Sequence, residues 1–209
     1  MTITTTITTP APTSPVFYPA DHGRAVATLS AAFHRDPVFE WIYPDESHRG
    51  TAVPHFFSVL VEQFATRREV RTTAGVDGVA LWLPPGEELM PEATAEPIIT
   101  ELVEGAGPAA DRLMEAFTLL DAHHPQEPHW YLGFLGVRPA LQGFGLGSAL
   151  LQSTLVGIDE AGVPAYLEAT NADNRRLYER HGFKVVRELP LPGGPSLFPM
   201  WREPRTGGR

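Results

Sequence analysis

Apolar residues recur along this chain at two spacings, and the changes between them mark out its elements. In "VFYPADHGRAVATLSAAFHRDP" a short apolar run reads as a strand. Ala25, Leu29, Ala32 and Phe33 then fall near helical spacing, which predicts a helix over about residues 21–34. Pro37 discourages its continuation. "WIYPDESHRG" reads as a loop or short helix, and "TAVPHFFSVLVEQFATRR" as a second amphipathic helix. "EVRTTAGVDGVALWLPPG" alternates like a hairpin, with Gly75 and Asp77-Gly78 as turn signals. Residues 87–124 return to helical spacing, broken by Pro91, Pro97 and Pro108, which predicts two or three helices. The continuous aromatic and aliphatic run "PHWYLGFLGV" has strand length and the look of a strand buried on both faces. A helix over 142–160, the strand "VPAYLEAT", the helix "NADNRRLYERHG" stopping at His181-Gly182, and the strands "FKVVREL" and "SLFPMW" complete the chain. Nothing repeats, and no linker divides residues 15–203, so one mixed α/β domain is expected.

Composition narrows the chemistry. At 43% hydrophobic, the 209 residues suffice for an ordinary core. The absence of cysteine excludes disulfides, thiolate metal sites and a thiol nucleophile. No run approaches the ~18 apolar residues of a membrane span. The opening "MTITTTITTPAPTSP" is rich in Thr and Pro and lacks the positive start and apolar centre of a leader. Residues 1–14 are therefore expected to be a disordered tail, and the protein soluble and cytoplasmic. A net charge of -9 argues against nucleic-acid partners. His123-His124 has no third ligand set beside it, so no metal is expected.

The stretch "GVRPALQGFGLGSALLQ" carries the chemistry. Gly143, Gly145 and Gly147 interrupt a helix-forming run, where each glycine costs roughly 0.5–1 kcal/mol relative to alanine. A strand, a glycine turn and a helix in succession place free N–H groups and a positive helix end at the strand's end, which suits an anion. Small residues packing helix on sheet are the plain alternative. A P-loop fails for want of lysine near Gly147. A dinucleotide fingerprint fails because position 148 is Ser148.

Gln142, Gly145 and Gly147 meet the pattern Gln/Arg-x-x-Gly-x-Gly/Ala, and here the chain resembles the GNAT acetyltransferase superfamily. "HHPQEPHWYLGFLGVRP", "QGFGLGSALL", "AGVPAYLEAT" and "NRRLYERHGF" follow at that family's separations. Over roughly residues 123–188 the chain is most similar to the puromycin N-acetyltransferase branch. The resemblance implies a GNAT fold: a mixed, mostly antiparallel sheet with a splayed central strand pair, flanked by helices. It implies acetyl-coenzyme A as co-substrate, its pyrophosphate gripped at Gln142, Gly143, Phe144, Gly145, Leu146, Gly147 and Ser148. The opened strand would meet pantetheine through Phe134, Leu135, Gly136 and Val137, with Asn171 and Asn174 beside it. An N–H near Leu135 would stabilise the oxyanion. Tyr178 would protonate the departing thiolate.

Relatives place a carboxylate base on the splayed strand, and this one has none between Trp130 and Val137. Glu168, on the next strand and on the same face as Tyr166, is the candidate base, with Glu127 and His129 as weaker ones. Arg138, Arg175 or Arg176 would meet the phosphates, while Arg180 reads as solvated. Asp36, Glu40 and Asp45 are either surface charges or contacts to a cationic substrate. The expected acceptor is a small primary or secondary amine. A protein N-terminus or lysine, or a coenzyme-binding module without chemistry, are the rivals. Apolar C-terminal strands offer a homodimer surface.

Overall fold

The computed structural model describes residues 17–66, 69–88 and 90–205, with Glu92 in its backbone alone; the expected tail over residues 1–14 lies outside them. In chain order the helices are α1 (His22–Phe33), α2 (Pro37–Ile42), α3 (Glu46–Thr66), α4 (Glu92–Ala106), α5 (Ala110–His123), α6 (Leu146–Ala161) and α7 (Ala172–Arg180). The strands are β1 (Val70–Thr72), β2 (Gly78–Leu83), β3 (Trp130–Val137), β4 (Ala165–Ala169), β5 (Lys184–Val185), β6 (Leu189–Pro190) and β7 (Ser196–Arg202).

Among the described residues the strands lie in the order β1-β2-β3-β4-β7-β5, with β6 against β7. The β3–β4 pair is parallel and every other pair antiparallel. β2 is buried at every position because helices cover both faces. Val79, Leu81 and Leu83 face the core under α1 and α3, whereas Ala80 and Trp82 join the core under α6. α1 buries Ala25, Leu29 and Phe33, one residue per turn on a single stripe. α3 buries Val53, Phe57, Leu60 and Phe64 on another.

A bulge decides where the sheet opens. Leu81 pairs with Phe134, but Trp82 pairs with Leu132, so Gly133 is an extra residue in β3. Gly133 and Phe134 therefore both turn toward the α1–α3 side. A Cβ on Gly133 would lie 3.0 Å from Phe64 Cζ, and Phe134 meets Phe57 edge-on with centroids 5.2 Å apart. β3 and β4 pair only through Trp130↔Ala165, Tyr131↔Tyr166 and Leu132↔Leu167. Beyond the bulge they part, and residues 133–137 keep a strand on the β2 side alone. The splayed pair implied by the resemblance is present, in a mixed, mostly antiparallel sheet flanked by helices.

Local expectations shifted in four places. Phe17 and Tyr18 form no strand; the chain enters through a 3-10 turn at Pro19–Asp21. The hairpin's left-handed residue is Val76 (φ 59), not Gly75. Its carbonyl is held at 2.6 Å by the Thr28 hydroxyl of α1, a tertiary contact that outweighs the steric preference. "WIYPDESHRG" divides between the end of α2 and the start of α3, where Asp45 accepts from the His48 N–H at 2.6 Å. β3 is half-buried along most of its length, with only Leu132 and Gly136 buried, rather than sealed on both faces.

Candidate active site

After Val137 the chain makes a 3-10 turn over Pro139–Leu141 and then bends through Gly143 (φ 82) and Gly145 (φ 86) into α6. Both glycines occupy the left-handed region, which a side chain would strain. The first helical bond runs from Ala149 N to Gly145 O at 2.9 Å, and no side chain caps this end. The N–H groups of Leu146, Gly147 and Ser148 thus face out without intrahelical acceptors. Gln142 braces the turn, its amide donating to Val137 O at 3.0 Å. Ser148 Oγ lies 2.7 Å from His181 Nε2; burial and the charge of Arg180 hold that imidazole's pKa below its ordinary value. These groups border a cleft of about 1120 Å³ that runs along Leu135, Gly136 and Val137 to Tyr178.

The glycines of this region do different things. A Cβ on Gly136 would come within 3.0 Å of Ala32 and Leu29 on α1, so its bareness lets the helix pack. A Cβ on Gly147 would meet Leu177, Val137 and Leu135 at 3.5 Å or more, ordinary contact. Gly147 is therefore not required by the fold. Phe144 is 79% exposed and is not among the residues that line the cleft.

α7 begins one residue later than a face shared by Asn171, Asn174 and Tyr178 requires. Asn171 is the N-cap, its Oδ1 accepting from Asn174 N at 2.9 Å. Asn174 and Tyr178, one turn apart within the helix, both line the cleft. Tyr178 is buried, and its hydroxyl has no hydrogen bond among the described residues. Burial, and secondarily the charge of Asp36, push its pKa up. Asp36 is buried itself: it caps α2 by accepting from Val38 N at 3.0 Å and also accepts from the Thr170 hydroxyl. Its carboxyl is raised by burial. Asp36 thus ties α2 to the end of β4, Glu40 approaches Arg49 at 4.0 Å, and Asp45 caps α3. These three acids serve the fold.

A second cavity, of about 90 Å³, sits in the angle between the parted strands and shares Phe33, Leu135, Asn174 and Tyr178 with the cleft. Glu168 enters it from β4. Its Oε2 accepts from the Tyr131 hydroxyl at 2.9 Å, an encounter set by the parallel register that places Tyr131 beside Tyr166. Its Oε1 is buried without a hydrogen-bond partner. Burial pushes its pKa up to about 7, and the neighbouring Tyr166 and Tyr131 hydroxyls only partly offset this. The Tyr166 hydroxyl lies near enough to feel that charge but makes no well-formed bond. The weaker base candidates, Glu127 and His129, line neither cavity; His129 Nδ1 is 2.6 Å from the Glu127 carbonyl.

Cations are redistributed too. Arg138 meets Asp77 at 3.3 Å. Arg176 meets Asp173 at 2.9 Å, and Arg175 lies over the Phe198 ring at 4.8 Å. The guanidinium side chains that border the cleft belong to Arg35 and Arg180. Among the described residues no group of three or more His, Asp or Glu could hold a metal ion, and no helix is long and apolar enough to cross a membrane.

A strand that leaves its parallel neighbour, then a glycine turn and an uncapped helix end along one cleft, is a specific arrangement, and known proteins share it. The fold is that of the GNAT acetyltransferases. Residues 109–183 match the model of the Acetyltransferase (GNAT) family. An uncharacterized N-acetyltransferase of Schizosaccharomyces pombe is 27% identical over 206 residues, covering 89% of this chain and 81% of that one. The crystal structure of histone acetyltransferase HPA2 and related acetyltransferase from Corynebacterium glutamicum is 26% identical with a TM-score of 0.67, covering 95% of this chain and 99% of that one. Arylalkylamine N-acetyltransferase 2 of Aedes aegypti superposes with a TM-score of 0.55 at 14% identity, over 91% of this chain and 98% of that one; this last likeness concerns the fold alone. The family model and the first two relatives support acetyl-coenzyme A-dependent acyl transfer as the general class of chemistry. They point to GNAT acetyltransferases broadly, not to the puromycin branch.

Sequence spacing missed Thr170, Tyr131 and His181. Each acts through a partner at least 33 positions away, and no periodicity within one element signals such a pairing.

Proposed function

We propose that this protein is an N-acetyltransferase that moves the acetyl group of acetyl-coenzyme A directly onto the amine of a small molecule. The observation that carries the proposal is Glu168. It is a carboxylate with a pKa near 7 and one unpartnered oxygen, in a pocket that meets the coenzyme-sized cleft at Tyr178. A general base works best with a pKa near the operating pH.

In this reading the N–H groups of residues 146–148, with Arg180 and Arg35 at the rim, hold the pyrophosphate. The free edge of β3 from Phe134 to Val137 pairs with the pantetheine amides, and Asn174 assists. Glu168 removes the proton from the acceptor ammonium. The freed nitrogen lone pair attacks the thioester carbonyl, and an N–H near Leu135 steadies the oxyanion, a contribution of about 3–4 kcal/mol. The C–N bond forms, the C–S bond breaks, and the thiolate takes a proton from Tyr178. Burial makes Tyr178 a weak acid, but the same dry surroundings raise the proton affinity of the thiolate. The attacking nitrogen, cationic once the C–N bond has formed, gives its second proton to the Tyr178 phenolate. Glu168 returns the first to solvent, and neutral amide and thiol leave.

The test is release of free thiol from acetyl-coenzyme A over a panel of amines, with mass spectrometry of the acetylated product and a peptide control. The chain has no cysteine to add background. Acetylation of small amines and not the peptide is expected. Coenzyme binding with transfer to no amine would sink the enzyme assignment and leave a binding module.

A further inference from the structure

We infer that the acceptor is a compact monoamine with an apolar, ring-bearing body and no second charge. The inference rests on the function proposed above and names its substrate class. The pocket at Glu168 is walled by Phe39, Phe56, Phe117 and Phe134, with Ile42 and Leu120. Its aromatic walls meet one another largely edge to face: Phe39 to Phe56 at 5.4 Å and Phe56 to Phe134 at 5.8 Å. Such walls favour a guest with a ring of its own. About 90 Å³ is enclosed, on the order of three waters at liquid volume and short of the ~150 Å³ that takes a benzene. This limits the body to one ring, with its chain extending through the side shared with the cleft.

Charge sharpens the class. Among the described residues Glu168 is the one carboxylate lining the pocket, and no Lys, Arg or His lines it. Tyr131 already donates to Glu168, and the Thr170 hydroxyl to Asp36. One ammonium therefore finds a partner, at the carboxylate that will deprotonate it. The second cation of a diamine would be buried unpaired, and so would the carboxylate of an amino acid. A peptide main chain would bring several amides to a wall that offers few free polar atoms, Glu168 Oε1 and the Tyr178 hydroxyl among them.

The experiment compares kcat/KM at saturating acetyl-coenzyme A for 2-phenylethylamine, putrescine, agmatine, phenylalanine and a lysine-containing peptide, using the full chain. The expected result is a preference of at least tenfold for 2-phenylethylamine over each of the others. Preference for putrescine, agmatine, phenylalanine or the peptide overturns the class and leaves acyl transfer standing. Turnover of none of them, with coenzyme binding intact, overturns the proposed function and this inference with it. Two variants address the pocket itself. Leu120→Asp adds a second carboxylate and should shift the putrescine to 2-phenylethylamine ratio at least tenfold toward putrescine. Phe117→Ala removes a wall and should raise KM for 2-phenylethylamine severalfold, with acetyl-coenzyme A affinity unchanged. If either folded variant leaves the amine profile as in wild type, the acceptor does not bind in this pocket.

Discussion

The proposed coenzyme cleft and the proposed acceptor pocket adjoin each other at Tyr178, yet they are made of different material. The cleft is backbone: uncapped N–H groups, a strand edge freed by a bulge, and two left-handed glycines, all within residues 133–148. The pocket is side chains, gathered from Phe33 in α1 to Leu197 in β7. Backbone can grip a phosphate or an amide whatever the neighbouring side chains are, so one contiguous stretch suffices. Complementarity to an acceptor needs shape and a placed charge, which only distant residues packed together supply.

That division implies that acceptor-side changes alter turnover and leave coenzyme affinity alone, whereas turn changes do the reverse. The largest expected effect is at Glu168. Glu168→Gln should lower kcat/KM at pH 7 by about 10³, within the usual reach of a general base, with the acetyl-coenzyme A dissociation constant unchanged by calorimetry. Because the carboxylate must be ionised to act, wild-type kcat/KM should rise with pH through about 7. The variant should lack that rise and recover partly toward the amine's own pKa. A deficit equal at every pH would mean that Glu168 only positions the substrate.

Next is Tyr178→Phe, which keeps the ring and removes the hydroxyl. A fall in kcat of about 10² is expected, the low end for a general acid, since a thiolate leaves readily. Coenzyme affinity should barely change, as the interaction strengthens only when charge develops on sulfur. Full activity would mean that the thiolate leaves unaided.

A smaller effect concerns stability. Glu168 has a folded pKa of about 7 against an ordinary 4.5, so its stabilising preference for a proton is fully present below 4.5 and is lost as pH rises through 7. Glu168→Gln cannot ionise. Its stability relative to wild type should therefore increase by about 2 kcal/mol between pH 5 and pH 8, read from urea midpoints. A constant difference would show that the carboxylate is not held in a dry site.

The smallest expected effect is on the cleft side. Gly147→Ala meets no clash within the protein, so its stability should hold while acetyl-coenzyme A binds at least tenfold more weakly, about 1.4 kcal/mol. Unchanged affinity in this variant would remove the phosphate from the turn. Gly145 is a poorer probe, because φ 86 would strain any side chain whatever binds there.

Much of the cleft was legible along the chain because its parts are consecutive: strand, glycines and helix sit in order from Trp130 to Ala161. Glu168 was legible as a carboxylate on the face of Tyr166, since strand alternation is a local property. On that ground it was named the candidate base; its raised pKa was not legible, because it comes from burial among residues of other elements. Asn171 caps α7 rather than lying within it, and with Asn174 and Tyr178 it borders the cleft. Asp36 read as either a surface charge or a contact to a cationic substrate, because nothing near it in sequence announces Thr170 as its partner.

By itself, then, the sequence determined the order of elements, the glycine turn and the pairing of Tyr178 with Asn174 on one helix, all consequences of backbone sterics and hydrophobic period. Tertiary structure alone decided the rest: the parting of β3 from β4 at Gly133, the register that sets Tyr131 against Glu168, and the aromatic walls drawn from α2, α3 and α5. These depend on which surfaces pack together, and that is settled by the whole core at once rather than by any short stretch of chain.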